Sequence, residues 1–196
     1  MKIDMLSPSV INTNFYGKMT KTEKGNDYYK TDNGFKVGAV YGGLELINGL
    51  LPGESLISAI IGFGIHSGIG KFIDYKRNQH AAQAADYIKE VGEKRALETR
   101  DDLELSDNKH LYYHSKDGAK YGTIIGAGIG AALGSLAAIF PGILVYFGGV
   151  RHFTKKSVVA AGAMLFAIFT GISTLGGFIL GKITDYFTNK SAKKHA

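Results

Sequence analysis

Cysteine is absent from all 196 residues. This absence excludes disulfide frameworks, thiolate zinc sites and cysteine nucleophiles, although it assigns no compartment. No Asp or Glu lies between Asp117 and Asp185, and no G-x-S-x-G segment marks a nucleophile on a strained turn. His110 and His114 stand four residues apart, but no third metal ligand is spaced convincingly nearby. We therefore expect no catalytic residue, no metal site and no cofactor.

Formal charge is missing from two long runs near the C-terminus. The first covers thirty residues, 121–150, and the second covers twenty-five, 157–181. At a helical rise of about 1.5 Å per residue, even the shorter run extends about 37 Å. This length exceeds the hydrocarbon core of a bilayer, which is about 30 Å thick. The sequence therefore predicts two helices that cross a membrane.

The N-terminal segment is polar and rich in Asn, Thr and Lys. It buries too little apolar surface to offset chain entropy, so we predict a mobile arm over residues 1–33. The first sustained apolar run begins only near Val37, and no cleaved export signal is expected. The net charge of +6 comes from basic residues that alternate with acidic ones beside apolar blocks. That pattern favours anionic lipid headgroups and argues against nucleic acid.

Two pairs of similar segments suggest an internal repeat. YYKTDNGFKVG at residues 28–38 resembles YYHSKDGAKYG at residues 112–122. The far borders also match, because GKFIDYKRN at residues 70–78 resembles GKITDYFTN at residues 181–189. Matches at both borders, in the same order, are harder to obtain from glycine bias than a single match. The order predicts two copies of one unit, each with two apolar runs separated by a Pro-Gly break.

The sequence therefore predicts an all-α membrane protein of two related helical hairpins, formed by tandem duplication and joined by a charged helical linker. The first hairpin is short, because its second run, residues 55–70, has only sixteen residues. That length is typical of a re-entrant or interfacial segment. A water-soluble hairpin is the alternative. A narrow apolar stripe in the linker, at Ala81, Ala84, Ile88 and Val91, indicates a solvated connecting helix. The expected units are a mobile arm (1–33), the first hairpin (34–78), the linker (79–111), the second, transmembrane hairpin (112–189) and a basic tail (190–196).

Glycines recur at every fourth residue of the first uncharged run and therefore lie on one helix face. In water such a helix is disfavoured, since each interior glycine costs about 1 kcal/mol relative to alanine. In lipid the bare face lets another backbone approach closely. The pattern resembles glycine-zipper membrane proteins, a broad group that includes small channels and pore-forming chains, and the resemblance implies tight packing and homo-oligomers. The packing residues expected are Gly122, Gly126, Gly130, Gly134, Ala163, Ala167, Gly171, Gly177 and Gly181.

The same glycine-rich segments admit nucleotide-binding interpretations. Gly126, Gly128 and Ala131 occupy the G-x-G-x-x-A places of a dinucleotide fingerprint. However, no acidic residue follows about 20 positions later to bind the ribose hydroxyls. Residues 176–182 fit a phosphate loop, except that Ile183 replaces the Ser or Thr that binds magnesium. A soluble dinucleotide-binding enzyme is therefore a remote alternative.

Two ionisable residues, Glu45 and His66, lie within the apolar segments of the first hairpin. Such residues are usually functional when they lie inside a membrane, so they define a candidate polar path. Their depths in a straight hairpin differ by roughly 10 Å, which argues against a direct pair. In a water-exposed hairpin both side chains would simply face solvent. Lys71 and Lys182 each follow a border glycine and are expected to anchor the helices at lipid headgroups.

Orientation and function follow from this arrangement. Both termini and the linker lie on one side if each hairpin enters and leaves together, and they hold all but three of the 23 basic residues. The positive-inside rule places that side in the cytoplasm. We expect a self-associating integral membrane protein that acts as a pore or channel component or as a membrane-remodelling scaffold. The alternative is a secreted or injected effector or toxin that stays soluble until its hairpins enter a target membrane.

Overall fold

The computed structural model describes residues 17–49, 56–147 and 154–195. Over these residues the protein is mostly helical, as the sequence predicts, with five helices and four short strands. The helices are α1 (Asn33–Gly49), α2 (Leu56–Val91), α3 (Glu93–Thr99), α4 (Asp117–Phe147) and α5 (Lys155–His195).

Two antiparallel strand pairs modify the expected all-α fold. β1 (Lys18–Lys21) pairs with β2 (Asp27–Lys30), and this pair precedes α1. β3 (Leu103–Leu105) pairs with β4 (Leu111–Tyr113), and this pair precedes α4. The strands form because β2 and β4 carry the repeated Tyr-Tyr sequence, and aromatic residues pack well on a pleated, half-buried surface.

The first strand pair is fixed to the C-terminal end of α5. The hydroxyl groups of Tyr29 and Ser191 share a hydrogen bond, and both residues are buried. Residues 17–33 therefore differ from the mobile arm expected for residues 1–33, and residues 190–195 are the last turns of α5 rather than a separate basic tail. Residues 1–16 lie outside the described part of the chain.

α2 is continuous through the border that the sequence placed after residue 78. It runs for 36 residues, about 54 Å, and ends before Gly92, whose φ of 85° favours glycine. The segment with the apolar stripe was expected to be a solvated connecting helix. Its stripe is instead packed inside the protein, because Ala84 is 1% exposed and packs with Ala96 and Leu103. The rise in charge density along α2 therefore marks a change in the surroundings of this helix and does not mark its end.

Glycines set the distance between α4 and α5, which run antiparallel. A side chain at Gly130 would place its first carbon 2.7 Å from the Cα atom of Thr170. α1 and α2 also run antiparallel, and a side chain at Gly42 would place its first carbon 2.6 Å from the Cα atom of Phe63. Bare helix faces thus let both pairs approach to backbone contact. The two pairs meet at the end where α1 and α4 begin, here called the base, where α1 packs against α5 and α2 against α4.

α4 and α5 are long and apolar enough to cross a membrane, as the sequence predicts. The candidate spans are Asp117–Ile143 and Lys155–His195. Only 17% and 6% of their most apolar stretches are buried inside the protein, so most residues of these stretches are at least partly exposed. The core helix of a soluble protein would show the opposite pattern, because it buries its apolar face.

We expect Gly130→Leu to destabilise the protein by about 3 kcal/mol, because the new side chain overlaps the α5 backbone and forces α4 and α5 apart. Gly128→Leu is the matched control, since no atom of another helix lies within 4 Å of the first carbon of a side chain added there. The control should change the free energy of unfolding by less than about 1 kcal/mol, through helix propensity alone. Chemical unfolding followed by circular dichroism measures both values, and equal effects of the two substitutions would contradict the packing described above.

Candidate functional site

An aspartate on α2 holds the first turn of α1. Asp74 Oδ1 accepts a hydrogen bond of 2.8 Å from the backbone N–H of Gly34, and Oδ2 accepts one of 2.7 Å from the N–H of Phe35. The first N–H groups of a helix have no partner within the helix, and they form its positive end. A carboxylate at this position satisfies two of them and is favoured by the helix dipole.

An aspartate on α5 makes the same contacts with α4. Asp185 Oδ1 accepts a hydrogen bond of 2.8 Å from the N–H of Gly118, and Oδ2 accepts one of 2.8 Å from the N–H of Ala119. A glycine precedes each aspartate by four residues and lies one turn away on the same helix face. These glycines, Gly70 and Gly181, allow the two backbones to come within reach of the carboxylate.

An asparagine four residues after each aspartate completes the contact. Asn78 accepts a hydrogen bond of 2.9 Å from the N–H of Thr31 and donates one of 2.8 Å to its carbonyl oxygen. Asn189 makes the same two bonds with Ser115, each of 2.8 Å. The repeated pattern G-K-x-x-D-Y-x-x-N therefore places one close-approach residue and two hydrogen-bonding side chains on a single helix face in α2 and in α5.

One arginine joins the two aspartates into an ion cluster of Asp74, Arg77 and Asp185. The guanidinium donates a hydrogen bond of 3.1 Å to Asp74 and one of 3.0 Å to Asp185. Its Nε atom donates a third, of 3.0 Å, to the hydroxyl of Ser115. Arg77 is 1% exposed, and all three members of the cluster are buried. Thr188 stands at the equivalent place in α5, so the single side chain of Arg77 pairs with both aspartates.

The charges of the ion cluster are nearly balanced. Two carboxylates face one guanidinium and two helix N-termini, and each N-terminus is equivalent to about half a positive charge. Burial raises the pKa of Asp74 from 3.8 to about 6, although the Phe35 amide and Arg77 act in the opposite direction. Asp74 therefore binds its proton at a higher pH than an ordinary aspartate does.

A second polar contact joins α2 to the start of α4. His80 Nδ1 lies 2.9 Å from a carboxylate oxygen of Asp117, and the Tyr113 hydroxyl donates a hydrogen bond of 2.8 Å to the same oxygen. Burial raises the pKa of Tyr113, so this hydroxyl stays protonated and remains a donor. At the matching start of α1, Asn33 donates a hydrogen bond of 3.3 Å to Thr188 of α5. Each helix pair thus contacts the other through the first residue of its leading helix.

The packing residues expected from the sequence divide into two groups. Most lie at the contact between α4 and α5, and the face of α5 that meets α4 also carries Gly162, Thr170 and Ser173. The remaining small residues of α5 point outward, because they lie on a neighbouring face of the helix. Those at the contact are Gly122, Gly126, Gly130, Gly134, Gly177 and Gly181, and those exposed are Ala163, Ala167 and Gly171.

The proposed polar path and anchors have separate positions. His66 contacts the carbonyl oxygen of Gly62 at 2.8 Å and packs edge-on against Tyr41, with 4.6 Å between the ring centres. Glu45 lies in α1, but its side chain is outside the part that the structure describes. Lys71 and Lys182 are both exposed, and the Lys182 ammonium lies 5.7 Å from the ring centre of Phe178.

The nucleotide and metal interpretations do not match the local structure. Gly126, Gly128 and Ala131 lie inside α4, and residues 176–182 lie inside α5, so neither segment forms the strand-to-helix turn that holds phosphate groups. His110 is exposed, and His114 lies 2.9 Å from Glu104. Among the described residues, no group of three or more His, Cys, Asp or Glu side chains could hold a metal ion.

Sequence reasoning noticed the repeated segment but missed its chemistry. Asp74 and Asp185 occupy identical places in the two matching borders, and so do Asn78 and Asn189. A polar residue repeated at the end of an apolar run was the signal that could have identified them. Arg77 gave no such signal, because Thr188 stands at the matching position of the other border.

We expect Arg77→Met to destabilise the protein by about 3–5 kcal/mol, because it leaves two buried carboxylates facing each other without a cation. Arg95→Met removes an exposed arginine of α3 and should change stability by less than about 0.5 kcal/mol. The triple variant D74N/R77M/D185N loses one backbone N–H acceptor at each asparagine. It should still lose less stability than Arg77→Met alone, because its cluster carries no unpaired buried charge. A triple variant less stable than the single one, in chemical unfolding experiments, would contradict this account of the cluster.

The raised pKa of Asp74 predicts a pH dependence of stability. Between its ordinary pKa of 3.8 and its folded-state value of about 6, the folded protein binds more protons than the unfolded chain. The contribution of Asp74 is therefore fully present below about pH 4 and is lost as the pH rises through about 6. Unfolding free energies measured from pH 4 to pH 7.5 should fall more steeply for the wild type than for Asp74→Asn. Parallel curves would show that Asp74 titrates normally.

The ion cluster holds helices in place and carries no free reactive group. All four oxygen atoms of Asp74 and Asp185 accept backbone N–H bonds, and Arg77 and Ser115 occupy the remaining space. Comparisons of the chain with protein-family models, with curated proteins and with solved structures each find no match, so its own geometry carries the functional argument.

Proposed function

We propose that the protein is an integral membrane scaffold, in which α4 and α5 cross the bilayer as an antiparallel pair. The supporting observation is the outward apolar surface of these helices. Leu136 is 70% exposed on α4, and Val159 and Ile172 are 71% and 69% exposed on α5. Fully burying a side chain of this kind contributes about 1.5–3 kcal/mol, so an array of them strongly favours lipid over water.

The distribution of charge supports this placement. No charged residue lies in residues 121–150 or 157–181. Lys120 and Lys182 lie at the same level along the helix pair, because Gly118 of α4 touches Gly181 of α5. The strand pairs, α3 and the charged half of α2 lie beyond this level. We propose that this side faces the cytoplasm and contacts anionic lipids, as the excess of basic residues favours.

We also propose that the chain arose by tandem duplication of one unit, a strand pair followed by a helix pair. The support comes from the two aspartates and two asparagines, which make the same backbone contacts in both units. The identical residues of the two borders thus also make matching hydrogen bonds, which favours one origin. The copies then diverged in the length of their helices, so only the second retained, or acquired, a pair that crosses the bilayer.

Scaffolding fits the spanning helices better than conduction. A pore needs polar side chains that face a water-filled lane. The hydroxyl groups of Thr123, Ser135 and Thr174 instead donate hydrogen bonds to carbonyl oxygens four residues earlier in their own helices. Self-association remains part of the proposal, and the outward-facing Ala163, Ala167 and Gly171 offer a face on which a second copy can pack closely.

Single cysteines test whether α4 and α5 cross the membrane, because the natural chain has none. Lys155→Cys places a thiol at the start of α5, and Lys94→Cys places one on α3, beyond the base; both positions are exposed. In sealed vesicles, a membrane-impermeant maleimide should label only one variant from outside and should label both after the membrane is permeabilised. Labelling of both from outside, or release of the protein by alkaline carbonate, would contradict spanning.

A further inference from the structure

The shorter helix pair shares the apolar exterior of the longer one. Ten large apolar side chains on α1 and on α2 up to Ile65 are between 41% and 72% exposed. Between Lys36 and the end of α1, the sequence has one charged residue, Glu45. Such a surface on a soluble protein would require a partner.

The two pairs lie side by side from the base. All four long helices line a common cavity of about 370 Å³, with Tyr41 and His66 on one wall and Leu133 and Ile172 on the other. The shorter pair therefore extends along the apolar surface of the longer pair and is not folded back onto the strands. Lys36 and Lys71 border it at the base, as Lys120 and Lys182 border the longer pair.

The lengths of the two pairs fix how far each can reach. From Lys36 to the end of α1 at Gly49 is thirteen residues, about 20 Å at helical rise. From Lys120 to the end of α4 at Phe147 is twenty-seven residues, about 40 Å. A hydrocarbon core of about 30 Å can be crossed by the second length but not by the first. If both start at the same headgroup level, the shorter pair ends near the middle of the bilayer.

We propose that α1 and the first half of α2 form a one-leaflet wedge, inserted among the acyl chains of the leaflet on the base side. This inference rests on the proposed spanning of α4 and α5. The wedge adds volume to one leaflet and not to the other, so the protein favours membranes that are convex on the base side. The occupant of the exposed apolar surface is thus phospholipid acyl chain, in agreement with the apolar helix surfaces that flank it.

Depth of insertion is measurable with single tryptophans, because the chain contains none. The protein is reconstituted in vesicles of phosphatidylcholine and phosphatidylglycerol brominated at defined acyl carbons. Fluorescence of Ile47→Trp, near the end of α1, should be quenched most by bromine close to the chain ends. Met19→Trp on β1 is the control, which lipid bromine should leave unquenched. Quenching of Ile47→Trp only by shallow bromine, or its accessibility to acrylamide, would overturn the wedge.

Curvature preference is measured with the same reconstituted protein. After detergent-mediated reconstitution into a mixture of small and large vesicles of one composition, the protein should be enriched per unit of lipid area about twofold or more in the small ones. The variant I57S/I61S changes two side chains that are 72% and 56% exposed, so it should fold normally and lose the enrichment. Equal partition of the wild type would overturn the proposal. Cysteine labelling reports separately on spanning, so failure of the wedge is distinguishable from failure of the scaffold.

Discussion

The architecture depends on one carboxylate in each helix pair. It lies on the second helix of the pair and accepts hydrogen bonds from the first N–H groups of the first helix. These groups lie at a buried junction, where they would cost stability if they lacked an acceptor. Asp74 and Asp185 satisfy them and place negative charge at the positive ends of α1 and α4. Burying two carboxylates costs free energy of desolvation, and the ion pairs of Arg77 with both of them offset this cost. The same ion cluster therefore stabilises both helix pairs and the junction between them.

The two helix pairs share one base but differ in how far they extend from it. The contacts of Asp74 with α1 and of Asp185 with α4 are the same, so the two pairs leave the base in the same manner. Beyond the base they differ mainly in length, with α1 of 17 residues and α4 of 31. Length alone then separates a pair that can cross a bilayer from one that cannot. The proposed scaffold and the proposed wedge both follow from this difference.

Several features were predictable from the sequence, and others were not. The uncharged runs correctly predicted two helices long enough to cross a membrane. The matching borders contained the aspartates and asparagines at the base, although their contacts with helix starts were not foreseen. The strands were missed because their tyrosines are held by distant residues such as Ser191, and such contacts leave no local pattern. The continuity of α2 was missed because helix formation does not stop where charge begins.

The sequence by itself determined which segments can lie in hydrocarbon, because charge and length act along the chain without reference to its folding. It also determined that bare helix faces are present in the second apolar pair. Only the tertiary structure decided which of those faces are used: Gly130 meets α5, whereas Gly128 and Gly171 face outward. A glycine permits close approach on any side of a helix, and the position of the partner helix selects the side. The same reason governs Arg77, whose importance comes from the two carboxylates that folding places around it.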